Sequence, residues 1–390
     1  MNAENKNLNL PYFDSSHIET MLQPIDLYML SNDELYLPKQ LGSNISIHNK
    51  DFFPDIDTAH CLIIGINDLR GQGVYIPQEP ANAIRKQLYN MYYWHNDLKI
   101  ADLGNIISGQ SIKDTYAALA NILVELAPYN KNILIIGGSN DNVIGQYLAH
   151  QQIKNIVEIT GIDALIDINE AHHEPCSNYL FGMLTNEPNY ASHYNHLGFQ
   201  SYYVNPDLLQ TIDKLKFDCY RVGKLKTELH EAEPLMRNSQ VIYFDIAALA
   251  SAFAPGIAIS PNGFTGEEAC ILSRYAGTTQ QPTSFGIYGY NPAVDVNNIT
   301  AAQIAQMIWY YFDGSQQQLF EAPLNKLENY YAFKLPFADV DIEFLQSKQS
   351  NRWWMKLPTG NFTPCSYADY LTASRNDIPE RWLRVQERDV

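Results

Sequence analysis

The chain has 390 residues, 46% of them hydrophobic and 18% charged, with a formal net charge of −17 at pH 7. This is enough apolar material for a sizeable core in one large domain or two. The acidic balance excludes a nucleic-acid partner and an anionic membrane surface as expected targets, since both call for a basic face. Five cysteines (Cys61, Cys176, Cys219, Cys270 and Cys365) are widely spaced without a C-x-x-C pair. That usage suits a reducing compartment and argues against a disulfide framework or a thiolate zinc site. Residues 1–10 are polar and lack the apolar stretch of a signal peptide, and the longest apolar runs are strand-sized. The cytoplasm is therefore the expected location, with no membrane span.

Residues 1–57 read as an N-terminal arm, interrupted by Pro11, Pro24, Pro38 and Pro54. A regular alternation follows. Residues 60–65 form a short apolar strand, and 80–88 a helix with Pro80 in its first turn. An amphipathic helix at 111–126 leads to a strand at 132–136 and a helix at 142–150. Further strands are predicted at 156–162, 199–204, 217–222, 241–245 and 284–288, with helices at 267–275 and 300–312. Strands alternating with helices imply βαβ units, hence an α/β domain over residues 58–314 with a mainly parallel sheet in a three-layer α/β/α arrangement. Residues 315–390 change character: they are rich in aromatics and prolines, including Arg352-Trp353-Trp354. They are expected to form a C-terminal extension packing on the main domain, its aromatics filling a groove there rather than meeting a partner.

Three segments fall at predicted strand ends, where open α/β sheets place their ligands. They are Gly137-Gly138-Ser139-Asn140-Asp141, Asp163-Ala164-Leu165-Ile166-Asp167-Ile168-Asn169, and the stretch from Tyr243 through Asp245 to Gly256. If their strands are neighbours, Asp163, Asp167 and Asp245 converge. Clustered carboxylates repel, so they either take up protons or hold a cation. An oxygen-only site suits Mg²⁺, Ca²⁺ or Mn²⁺ rather than Zn²⁺. Structural or helix-capping roles are the plainer explanation of the same aspartates.

The same segments resemble the arginase/agmatinase/formimidoylglutamase (ureohydrolase) superfamily, whose members carry G-G-D-H-S, D-A-H-x-D-x-N and D-x-D-x-x-D-P-x-x-A-P-G in this order. Residues 163–169 match the second pattern except at its histidine, and 245–256 match the third through Phe253-Ala254-Pro255-Gly256. Gly263-Phe264-Thr265-Gly266-Glu267-Glu268 resembles G-L-T-x-x-E, which implies a substrate contact for Glu268. The resemblance also implies an arginase-like fold and six ligands for two Mn²⁺ ions. Here those positions read Asn140, Asp163, Leu165, Asp167, Asp245 and Ala247. Asp163, Asp167 and Asp245 are retained, as vestigial ligands or as the remnant of a mononuclear site; Asn140, Leu165 and Ala247 stand where two histidines and an aspartate are lost. In the family's arrangement Leu165 and Ala247 fall on the same ion. A hydroxide shared by two metals is the family's nucleophile, so losing one ion removes it.

The expectation is therefore a pseudoenzyme: an arginase-fold protein that has lost dinuclear-manganese hydrolysis and acts in binding, scaffolding or regulation. No cofactor is expected, or one Mn²⁺ at most. The expected partner is a protein or a small cationic metabolite, and the family's trimers and hexamers allow a homo-oligomer. The alternative is a Mn-dependent hydrolase of linear amidines such as formimidoylglutamate, arginine or agmatine. His172 and His173 are assigned to a surface loop rather than to the site, and His95, His150, His193 and His196 have no ligand-like spacing.

Overall fold

Apolar runs separated by helical patterns fold as parallel strands buried on both faces. The computed structural model describes residues 16–31, 35–168, 174–257, 259–337 and 340–388. Its main strands are β1 (Cys61–Ile66), β2 (Ile100–Ile106), β3 (Asn132–Gly137), β4 (Val157–Ile162), β5 (Ala191–Phe199), β6 (Asp218–Arg221), β7 (Val241–Asp245) and β8 (Ser284–Tyr288). They lie in the order 2-1-3-8-7-4-5-6, every neighbouring pair parallel. Two-residue strands from the N-terminal region, Leu22–Gln23 and Ser46–Ile47, add to β2.

Successive side chains of each strand point to opposite faces, and that alternation builds two cores. Cys61, Ile63, Leu134, Ile136, Phe244 and Ile287 face one layer, while Leu62, Ile64, Ile133, Ile135 and Tyr243 face the other. Among the helices are α1 (Pro80–Leu88), α2 (Ile112–Leu126), α3 (Val143–Gln152), α4 (Gly266–Gly277) and α5 (Ile299–Leu319). α1, α4 and α5 cover the first face; α2 and α3 cover the second. The result is an α/β/α sandwich, as near-continuous apolar strands require. Local signals agree. Ser111 and Asp114 form a capping box at the start of α2, and Pro80 opens α1. Arg85 of α1 grips Asp102 of β2 through two 2.8 Å hydrogen bonds, both side chains fully buried.

One predicted strand is corrected. Residues 199–204 are aromatic and β-branched, yet the strand is Ala191–Phe199 and the residues after it turn. Tyr202 is 62% exposed, whereas the polar His193, Asn195 and His196 are buried within β5. His193 Nε2 pairs with Asn195, the Asn195 amide donates to the Leu235 carbonyl and His196 Nε2 to that of Asp163, so the sequence of β5 looks solvent-facing when it is not. α5 also runs past the expected 312 to Leu319.

Beyond α5, a separate antiparallel sheet follows in the order β9 (Tyr330–Phe337), β10 (Val340–Ser347), β11 (Trp353–Lys356) and β12 (Phe362–Cys365). Helices α6 (Tyr367–Ser374) and α7 (Glu380–Arg388) close the chain. Trp354 is 1% exposed, its ring 4.4 Å from the Arg237 guanidinium and 5.6 Å from that of Arg352. Arg237 also donates to the Trp353 carbonyl at 2.6 Å. Guanidinium faces against an indole join the two sheets' supporting layers. Among the described residues, no helix is long and apolar enough to cross a membrane.

Candidate functional site

The strand order 3-8-7-4 brings the three motif-bearing strand ends side by side. Asp245 ends β7, paired with Tyr288 of β8; Asp163 follows β4; Asn140 lies in the turn after β3. This places the motif residues at the carboxyl edge of the sheet, the ligand-binding edge of such folds. Oxygens of Asp163, Asp167 and Asp245 all lie within 4.8 Å of one another, and all three side chains are buried.

Burial and mutual repulsion disfavour three charges here. Burial pushes Asp167 up to about 8, with the Asp245 charge adding to it. Asp245 is raised to about 6, chiefly by burial, against hydrogen bonds from Ala247 and Asn140. Asp163 is raised as well, by burial and then by the charges of Asp245 and Asp167.

Among the described residues, few hydrogen-bond donors face the cluster. The backbone N–H of Leu165 donates to Asp163 Oδ1 at 3.1 Å, and that of Ala247 to Asp245 Oδ1 at 2.8 Å. Asn140 Nδ2 donates to Asp167 Oδ2 at 3.1 Å and to the Cys176 carbonyl at 3.3 Å. Asp163 Oδ2 has no hydrogen-bond partner among the described residues.

Sequence reasoning missed three neighbours. His196 Nε2 meets the Asp163 carbonyl at 3.2 Å; its burial lowers its pKa to about 4, so the ring is neutral at pH 7 and donates this bond. Tyr179 is buried beside Asp163 and Asp167; burial and the tyrosine and carboxylate charges around it raise its hydroxyl. Cys176 contributes its carbonyl to Asn140. No spacing linked these residues to the carboxylates, because they come from β5, a helix and a turn that only the fold brings together. His172 and His173 lie outside the described residues.

Glu268 is not among the carboxylates that lie within 4.8 Å of one another. It is the third residue of α4, where its Oε2 accepts the Thr265 N–H at 2.8 Å in a capping box and faces Lys226 Nζ at 3.4 Å. A cationic substrate at Glu268 would compete with that lysine.

Gly289 forms part of the wall. Its φ is +88°, and a Cβ there would sit 2.6 Å from Asp245 Oδ1. Gly289→Ala is expected to cost about 1–3 kcal/mol through backbone strain and crowding of that carboxylate. A lowered urea midpoint with an unchanged m-value would register it.

A family model described as the Arginase family matches residues 68–313. The formimidoylglutamase of Streptococcus pyogenes serotype M12 is 23% identical over 307 residues, covering 72% of this chain and 92% of that protein. Among solved structures, Trypanosoma cruzi formiminoglutamase with Mn²⁺ superposes with a TM-score of 0.62 at 15% identity, covering 71% of this chain and 98% of that one. Formimidoylglutamase from Bacillus subtilis gives a TM-score of 0.62 at 17% identity, covering 72% and 93%. These structural likenesses establish an arginase-like α/β fold, and the family match spans well over half of the sequence. The chain belongs to the arginase family.

Proposed function

We propose that this arginase-family chain does not hydrolyse amidines with a manganese pair and that it serves in binding, scaffolding or regulation. The observation that carries the reading is the donor set. Of the six positions that the family resemblance assigns to metal, Leu165 and Ala247 offer no ligating side chain, and each turns a backbone N–H onto a neighbouring carboxylate. Asn140 presents its amide nitrogen, a hydrogen-bond donor, to Asp167. These residues do not fit two ions. The three carboxylates, with Asp163 Oδ2 lacking a hydrogen-bond partner among the described residues, match the oxygen chemistry of one hard cation at most. A buried acidic cluster of this kind favours a small cationic metabolite, or a cation presented by a partner protein. The free cysteines are consistent with a cytoplasmic setting.

The convergence of Asp163, Asp167 and Asp245 favours a second reading, a Mn²⁺-dependent hydrolase of linear amidines. The formimidoylglutamase names of the relatives point the same way. The two readings separate in an assay with excess Mn²⁺, following formamide release from formimidoylglutamate and urea release from arginine and agmatine. The first predicts rates equal to a metal-free control. Turnover above that control, abolished by Asp245→Asn, would establish the second.

A further inference from the structure

The last helix is fastened by charge rather than by apolar burial. Among its described residues α7 has none fully buried, and Leu383 is 41% exposed. Trp382 makes its main apolar contact, packing partly buried against the small core beneath β11 and α6. Arg381, Arg384 and Arg388 recur at helical spacing and so share one face. Arg384 donates to Asp218 Oδ1 at 2.7 Å, and Arg388 hydrogen-bonds the other oxygen of the same carboxylate. Arg381 reaches Asp369 at 3.0 Å and Glu231 at 2.9 Å. Asp218 belongs to the edge strand β6, is 4% exposed, and also faces His193 Nε2 at 3.3 Å. One buried carboxylate thus holds two guanidinium groups of the helix, and the ion pairs of Arg381, the packing of Trp382 and a hydrogen bond from Lys216 to the Glu387 carbonyl complete its attachment. Beneath it lies a cavity of about 210 Å³ whose walls include Glu158, Ser192, Asn195 and Thr363 along with the three arginines.

We propose that α7 is a detachable lid over this cavity at the β5–β6 edge. It is seated while Asp218 holds Arg384 and Arg388, and it lifts when a multivalent anion competes for the arginine face. Three guanidinium groups on one helical face match a polyphosphate or polycarboxylate better than they match chloride, because several charge-assisted bonds form at once. Removing Asp218 alone should also lift the lid, since it leaves two guanidinium groups close together without their shared counter-ion. Neither step depends on the state of the carboxylate cluster.

The test is hydrogen exchange on the full chain, read by mass spectrometry. In Asp218→Asn, the α7 amides are expected to exchange at least about tenfold faster, equivalent to about 1.4 kcal/mol of docking free energy. The double variant Arg384→Gln/Arg388→Gln alters only the helix and should do the same. In the natural chain, inorganic tripolyphosphate should speed α7 exchange more than sodium chloride at equal ionic strength. Protection of β7 and β8 should stay unchanged throughout. Unchanged α7 exchange in both variants would overturn the lid, as would loss of protection spreading to β7 and β8. Equal effects of tripolyphosphate and chloride would overturn its response to multivalent anions.

Discussion

Asp167→Asn is expected to stabilise the metal-free protein by about 2–4 kcal/mol at pH 8, because it removes a charge that the folded state resists. The sign follows from proton binding. An unfolded aspartate titrates near 3.9, whereas the folded chain holds the Asp167 proton up to about 8 and the Asp245 proton up to about 6. Between those values the folded state binds more protons than the unfolded one. Stability from this source is present at acid pH and is lost as pH rises toward 8.

Two buried histidines set the opposite limb. His95 and His196 are each lowered to about 4 by burial, below an unfolded value near 6.5. Their contribution is intact above about pH 6.5 and is lost as pH falls toward 4. Above about pH 6.5 the histidine contribution is complete while Asp167 is still losing its proton, so the natural chain in chelator should lose stability from there toward pH 8. Asp167→Asn should flatten the alkaline limb and leave the acid limb in place, as urea midpoints across pH would show. Destabilisation at pH 8 in chelator would contradict the electrostatic picture of the cluster.

The combined variant Asn140→His, Leu165→His, Ala247→Asp is expected to gain manganese binding. It adds two imidazoles and a fourth carboxylate at strand ends that already converge. Without metal, the variant should melt below the natural chain: Ala247 is buried, and a fourth carboxylate enlarges the repulsion. With Mn²⁺ at a hundred times its dissociation constant, binding should return about 2.7 kcal/mol, a clear rise in melting temperature. The natural chain should respond far less. Equal shifts in both proteins would mean that the three substituted positions do not govern binding.

Much of this architecture was legible in the residues. Strands ending in Asp245 and Tyr288, and the helix opened by Pro80, stood out because apolar runs, turn residues and capping signals agree there. The convergence of Asp163, Asp167 and Asp245 followed from their place at strand ends once the order 3-8-7-4 set those ends side by side. β5 was obscured because its His193, Asn195 and His196 look like surface residues while being paired inside the fold. Tyr179 and His196 could not be tied to the carboxylates from spacing, since their approach depends on packing between elements distant in sequence. The resemblance assigns Glu268 a substrate contact; its contacts with Thr265 and Lys226 emerge only when α4 is in place.

The manganese content of the natural chain, purified without chelator and equilibrated with Mn²⁺, bears most directly on whether a metal pair can be seated between these strand ends. Elemental analysis after removal of free metal should find at most one ion per chain, held weakly enough to be lost on dialysis. Two manganese ions per chain that survive dialysis would contradict the proposed loss of the dinuclear centre.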